Sequence, residues 1–227
     1  MRIWRIIDKM ISIDDQQKLL IALAEVLPYE INTFAIGGTA MMFYGIKKQT
    51  LDIDLVFLNE KDRKIFIESA KSLGYKMLDS KIVYGHKKNT PIMIKVGDAR
   101  LDLFLEDVIS FRFSKEMIKR SNQVHQYGRN LTINIADIHD LILMKCATGR
   151  LKDEEDIISI FNEREVDWNI LIQEAENQVK IGKESAVLEL GNFLEKIKNK
   201  KKLVVPKWFL YKLLEILKEQ IDGKLHT

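Results

Sequence analysis

The feature that most constrains this chain is a glycine pair, Gly37 and Gly38, followed by Thr39 and, after a spacer of twelve residues, by Asp52-Ile53-Asp54. An apolar run from Phe34 to Ile36 leads into the glycines. Their spacing predicts a strand, a tight turn, a short helix over Ala40 to Tyr44, and a second strand over Leu51 to Leu58. Glycine adopts backbone angles closed to other residues and puts no side chain in a ligand's way. Backbone N–H groups at such a turn and helix start form an anion site suited to phosphate. In a strand successive side chains alternate, so Asp52 and Asp54 are expected on one face and Leu51, Ile53 and Leu55 on the other. Val56 continues the aspartates' face as an apolar residue, which puts the carboxylates at the mouth of a buried strand. Two neighbouring carboxylates repel and stay ionised when cations sit between them. Hard divalent ions that prefer oxygen, Mg²⁺ above all or Mn²⁺, are the natural guests. Singly, a glycine pair is a common turn and alternating aspartates mark a solvated edge; jointly they outline a metal-dependent phosphoryl-transfer site.

A third carboxylate follows the same pattern. Ile92 to Val96 and Arg100 to Leu105 flank Gly97-Asp98, a hairpin signal. In the second arm Leu101, Leu103 and Leu105 face one way, while Asp102 and Phe104 face the other. A carboxylate followed by an apolar residue on one face repeats the arrangement of Asp54 and Val56.

These residues resemble the DNA polymerase beta-like nucleotidyltransferase superfamily, whose signature is Gly-Gly-(Ser/Thr), a spacer of similar length, and Asp-x-Asp. The helix after the glycines and the approach Lys48-Gln49-Thr50-Leu51-Asp52 look most like its minimal members, including the AbiEii-type toxins, which often carry Arg where this chain has Lys48. The resemblance covers about residues 30 to 160. It implies an α/β (α+β) fold, a mixed sheet with flanking helices, followed by a helical C-terminal part. It also implies transfer of a nucleoside monophosphate from a nucleoside triphosphate to an acceptor. Asp52, Asp54 and Asp102 are then the catalytic, metal-holding residues, with Asp102 on the ion that activates the acceptor. Gly37, Gly38 and Thr39 hold the triphosphate, and Lys48 and Lys145 neutralise its charge. The string from Lys145 through Arg150 to Asp153 and Asp156 is similar to a segment of the AbiEii-like proteins in which the lysine faces the nucleotide and the aspartate supports the site. By itself Asp153 also reads as a helix N-terminal carboxylate.

The chain has 227 residues, 46% of them hydrophobic, with three prolines and eleven glycines. That suffices for a real core and leaves little room for disordered linkers. The expected division is a catalytic core over residues 1–135 and a helical region over 136–227. A net charge of +3, from 36 Lys+Arg and 33 Asp+Glu, is compatible with nucleic-acid binding without indicating it. One cysteine, Cys146, excludes an intramolecular disulfide and fits a reducing cytosol. The four histidines lack zinc-ligand spacing, and no apolar run approaches the ~20 residues needed to span a membrane. The charged N-terminus is unlike a secretory signal and is expected to pack against the core as helix or strand. A cytoplasmic location is the expectation.

Ser12 is expected to cap a helix over 13–27 with Leu19, Leu20, Leu23 and Val26 on its apolar stripe, closed by Pro28. A second amphipathic helix spans 60–73, with Phe66, Ala70 and Leu73 inward. Tyr75 to Leu78 and Ile82 to His86 read as short strands, and Leu131 to Ile135 as a last one. Between them Arg112, Lys115, Lys119, Arg120 and Arg129 make a basic stretch, read as a solvated face ahead of a polyanion contact. Asp137 is expected to cap a helix to Ala147, a second helix to start near Leu151 with Asp153 and Asp156 one turn apart, and three more to follow over 168–181, 185–199 and 206–221. Five of the seven residues from Lys196 to Lys202 are lysine. With Trp208 and Phe209 nearby, the run reads as a solvated loop or as a contact for RNA phosphates beside an aromatic platform.

The acceptor on this reading is RNA, a protein hydroxyl or a small molecule. A neutralising antitoxin is an expected partner if the chain is the toxin of a toxin–antitoxin pair. A nucleotide- or RNA-binding module that keeps the fold without catalysis is the alternative, against which the presence of three carboxylates argues.

Overall fold

The computed structural model describes residues 10–97, 99–148, 150–200 and 203–225. The expectations for the N-terminal segment, for Asp98 in the hairpin turn, for Gly149 as a helix stop and for Lys201 and Lys202 concern positions outside the described residues. The chain forms two compact units, residues 1–105 with 123–135, and residues 106–122 with 136–227.

The first unit starts with β1 (Ile11–Ser12) and α1 (Ile13–Val26), then β2 (Ile31–Ala35), α2 (Gly37–Phe43), β3 (Gln49–Thr50) and β4 (Ile53–Phe57). After α3 (Glu60–Ser72) come β5 (Lys76–Leu78), α4 (Lys81–Tyr84), β6 (Ile92–Val96) and β7 (Ala99–Leu105). The chain leaves this unit for β8 (Asp107–Val108), β9 (Phe111–Arg112) and α5 (Lys115–Arg120), and returns for β10 (Gln123–Tyr127) and β11 (Leu131–Ile135). The strands of the first unit line up as β10-β11-β2-β4-β7-β6-β5. The pairs β11/β2 and β4/β7 are parallel and the rest antiparallel, so the sheet is mixed.

Ser12 caps α1 through a capping box with Asp15. Its buried stripe is Gln16, Leu20, Leu23 and Ala24. Leu19 is half-buried and Val26 exposed, because both lie about a quarter turn to one side of that stripe. In α3 Phe66 and Ala70 are buried as expected, and Phe66 meets Phe57 of β4 edge-on at 5.2 Å.

The strand expected over Ile82 to His86 is a helical turn instead, α4. Asp79 Oδ1 accepts from Lys81 N at 2.9 Å and starts it. The turn carries Tyr84 edge-on against Phe104, with ring centroids 6.3 Å apart. Strand propensity in Ile82, Val83 and Tyr84 yields here to that tertiary contact.

The second unit holds β8, β9 and α5 together with α6 (Ile138–Thr148), α7 (Leu151–Glu163), α8 (Trp168–Lys180), α9 (Glu184–Asn199) and α10 (Lys207–Leu225). Every residue from His139 to Ala147 is buried, so α6 is the central helix, with α7, α8 and α9 packed on it. Among the described residues from 136 onward there is no strand, in keeping with a helical C-terminal part.

Residues 106–122 are sewn to α8. Arg112 N donates to Gln178 Oε1 at 3.0 Å, and Gln178 Nε2 donates back to Arg112 O at 2.7 Å, so a side-chain amide stands in for a strand partner. Arg120 departs from the solvated face expected for the basic stretch. Its guanidinium donates to Asp140 at 2.6 and 3.2 Å and also meets Glu174, both of them buried. No helix among the described residues is long and apolar enough to cross a membrane.

Candidate active site

The candidate site is built on two parallel strands. In β4 Ile53, Leu55 and Phe57 are fully buried on one face, while Asp54 and Val56 share the other. The β4/β7 register sets Asp54 opposite Asp102 and Val56 opposite Phe104. Residues opposite each other point to the same side of a sheet, so the carboxylate-then-apolar pattern recurs side by side. Asp52 lies just ahead of β4 rather than within it. One ligand oxygen from each of Asp52, Asp54 and Asp102 falls within 4.8 Å of the others. Asp52 and Asp102 are buried and Asp54 is half-buried. Three hard oxygen donors this close are a donor set that fits a divalent cation such as Mg²⁺.

The glycine turn is fitted against these carboxylates. Gly37 has φ +58, and a Cβ there would stand 2.3 Å from Asp54 Oδ2; one on Gly38 would stand 2.4 Å from Thr50 Oγ1. A side chain at either place would force Asp54 or Thr50 to move. The glycines lie within the first turn of α2, earlier than the helix start expected at Ala40. Thr39 is fully buried. Its hydroxyl accepts from Asp54 N at 2.9 Å and donates to Asp52 O at 3.4 Å, so it ties both aspartates to α2. β1 pairs with β3, and Thr50 at the end of β3 donates to Asp52 Oδ1 at 3.4 Å.

Two residues that the sequence reading placed in strands and not at the site join the carboxylates. Arg100, on the same face of β7 as Asp102, donates from Nε to Asp102 Oδ1 at 2.7 Å and from Nη2 to Asp102 Oδ2 at 3.1 Å; Nη2 also meets Asp52 Oδ2. Tyr84 donates its hydroxyl to Asp102 Oδ2 at 2.6 Å. Burial and the neighbouring Asp52 charge push the Asp102 carboxyl up, against the pull of Arg100 and Tyr84. Burial raises the Tyr84 phenol too, and the charges of Asp102 and Asp54 add to it, so Tyr84 stays a proton donor. The signal for Arg100 was present in the alternation, which puts Arg100, Asp102 and Phe104 on one face.

Lys48 is exposed. Lys145 and Asp153 meet each other within the second unit. Lys145 is 4% exposed, and its Nζ donates to Asp156 Oδ2 at 2.6 Å and to Asp153 Oδ1 at 3.2 Å. Asp153 Oδ2 also accepts from Thr148 Oγ1, Arg150 N and Arg150 Nε at 2.6 to 3.1 Å. Two of the three N–H donors of Lys145 are thereby engaged with buried carboxylates.

In the lysine run, Lys200 Nζ donates to the buried Glu154 at 2.9 Å. Phe209 is fully buried against Trp168 and Trp208, which removes it from the aromatic platform expected there, while Trp208 is half exposed.

The mixed sheet with three convergent carboxylates beside a glycine turn is the arrangement that the sequence resemblance implies. The model of a family described as nucleotidyltransferase of unknown function (DUF6036) matches residues 8–202, and the chain belongs to that family. No curated protein matches the sequence at a significant level. Among solved structures, the crystal structure of ANT(2″)-Ia in complex with adenylyl-2″-tobramycin is similar at a TM-score of 0.43 and 17% identity, over 80% of this chain and 98% of that one.

Proposed function

We propose that this nucleotidyltransferase moves a nucleoside monophosphate from a nucleoside triphosphate to an acceptor hydroxyl, using Mg²⁺ or Mn²⁺ held by Asp52, Asp54 and Asp102. The observation that carries this reading is the convergence of the three carboxylates, two of them in register on parallel strands. A divalent ion supplies charge neutralisation on the phosphates and lowers the barrier to attack by the acceptor oxygen. The residues of the chain do the placing. Thr39 fixes the backbone of Asp52 and Asp54, while Gly37 keeps a side chain out of the space beside Asp54 and Gly38 out of the space beside Thr50. Their backbone N–H groups are the proposed cradle of the triphosphate, with Lys48 as an exposed cation near its charge. Lys145 and Asp153 support the fold of the helical unit on this reading, and Lys145 remains the candidate for a phosphate contact that the resemblance implies.

In the reaction the acceptor hydroxyl loses its proton to solvent, its oxygen bonds to the α-phosphorus, the bond from that phosphorus to the bridging oxygen breaks, and pyrophosphate leaves. The acceptor is proposed among RNA, protein hydroxyls and small molecules. For RNA the supporting residues are Lys196, Lys198 and the half-exposed Trp208. A toxin held in check by a neutralising protein would use the same residues, and a partner gene beside this one would separate that role from a housekeeping one. The chemistry is tested by incubating the protein and a cell lysate with a triphosphate labelled at the α- or the γ-phosphate. Label is expected in an acceptor from the α-labelled substrate alone, with pyrophosphate released. Transfer of the γ-label would mean phosphoryl rather than nucleotidyl transfer and would overturn the proposal.

A further inference from the structure

Arg100 stands where its charge bears directly on cation binding. Its guanidinium meets both oxygens of Asp102 and Asp52 Oδ2, and the Tyr84 hydroxyl also donates to Asp102 Oδ2. Donor hydrogens therefore face oxygens on two of the three carboxylates that would ligate a metal. The side chain is 11% exposed, so this contact is shielded from solvent rather than a screened surface pair. Its position is fixed by β7 itself, where Arg100 and Asp102 are alternate residues on one face.

We propose that Arg100 is a positioning residue that competes with the divalent cation: it holds Asp52 and Asp102 together until the cation takes them, then turns into the adjoining cavity. This rests on the metal-site reading given above. Electrostatics supports the competition. With Arg100 in place, its charge offsets one of the three carboxylate charges and its N–H groups occupy oxygens that a cation would use. A cation approaching those oxygens is repelled until the guanidinium departs.

A destination exists. A cavity of about 260 Å³ lies against Arg100, walled by Leu78, Val83 and Met93 and bordered by the exposed Asp79. Lys95, cross-strand neighbour of Arg100 and also on this cavity, opposes the move by like charge, while the Asp79 carboxylate favours it. An arginine fork gripping two carboxylates has no equivalent in lysine, whose ammonium is a single point of charge.

The test measures Mn²⁺ binding to the full chain, read as loss of the free-ion electron paramagnetic resonance signal, with thermal unfolding alongside. The variants are Arg100→Met, Arg100→Lys and Asp54→Asn. Arg100→Met is expected to bind Mn²⁺ at least tenfold more tightly than the parent and to gain more in Tm on adding it. Arg100→Lys, which keeps a cation and serves if the methionine variant fails to fold, is expected to gain severalfold. A folded Arg100 variant whose affinity is unchanged or weaker overturns the proposal, because removing a competitor must tighten binding. If Asp54→Asn binds Mn²⁺ like the parent, the metal-site reading itself fails and this inference falls with it. Loss in Asp54→Asn without a gain in the Arg100 variants sinks the Arg100 proposal alone.

Discussion

Replacing Asp54 by Asn is expected to lower kcat for nucleotide transfer on the order of 10³-fold while the chain stays folded. The two effects separate because the backbone bonds of Asp54 do not depend on its carboxylate charge. Its N–H donates to Thr39 and its carbonyl accepts from Ile36 N, and an asparagine keeps both bonds. The isosteric amide also keeps the fit beside Gly37. What is lost is one of the three charges of the proposed cation site, and losing it relieves repulsion among the carboxylates. The change in unfolding free energy is therefore expected to stay within about 1 kcal/mol, the range of a single neutral hydrogen-bond exchange. Initial rates from the α-labelled triphosphate, together with a urea melt, check both halves. A variant that keeps parental kcat would remove Asp54 from the chemistry.

The second large effect concerns stability. Lys145→Met leaves Asp153 and Asp156 buried without the ammonium that both accept from, and breaking such a pair from one side costs about 3–5 kcal/mol. A urea midpoint well below the parent's, with the same slope, is the expected result. The acid side of the stability curve adds a check. Burial alone would raise the Asp153 carboxyl, but Lys145 and Arg150 outweigh it and hold it down at about 2. A carboxyl whose folded value lies below its ordinary 3.8 adds stability that is present above that value and is lost as pH falls toward about 2. The parent should lose stability in that window, and Lys145→Met should lose less, with Arg150 holding the remainder. A parental midpoint for Lys145→Met would show that Asp153 and Asp156 do not need this lysine, and would favour the phosphate contact implied by the resemblance.

Much of the site was legible because strand alternation is local. Asp54 with Val56, and Asp102 with Phe104, carry the same two-residue pattern, and the strands that hold them pair in register. The glycines were legible for a like reason, since few other residues tolerate the turn between β2 and α2. Contacts over long sequence separation were not legible. Arg100 reaches Asp52 across 48 residues and Arg120 reaches Glu174 across 54. No pattern in a single sequence says which of 36 cations finds a buried carboxylate. The same limit hid Lys200 on Glu154, in a run that reads as a solvated loop or an RNA contact. For α4 the local signal pointed the wrong way: Ile82, Val83 and Tyr84 favour a strand, and the contact of Tyr84 with Phe104 and Asp102 decides for a helix.

The most direct measurement of the central claim is calorimetric titration of Mg²⁺ or Mn²⁺ into the protein bound to a non-hydrolysable triphosphate analogue. The parent should show saturable binding, and Asp52→Asn and Asp54→Asn should lose it while keeping parental circular dichroism and a cooperative melt. Equal binding by folded Asp52→Asn, Asp54→Asn and parent chains would contradict the account and move the cation away from Asp52, Asp54 and Asp102.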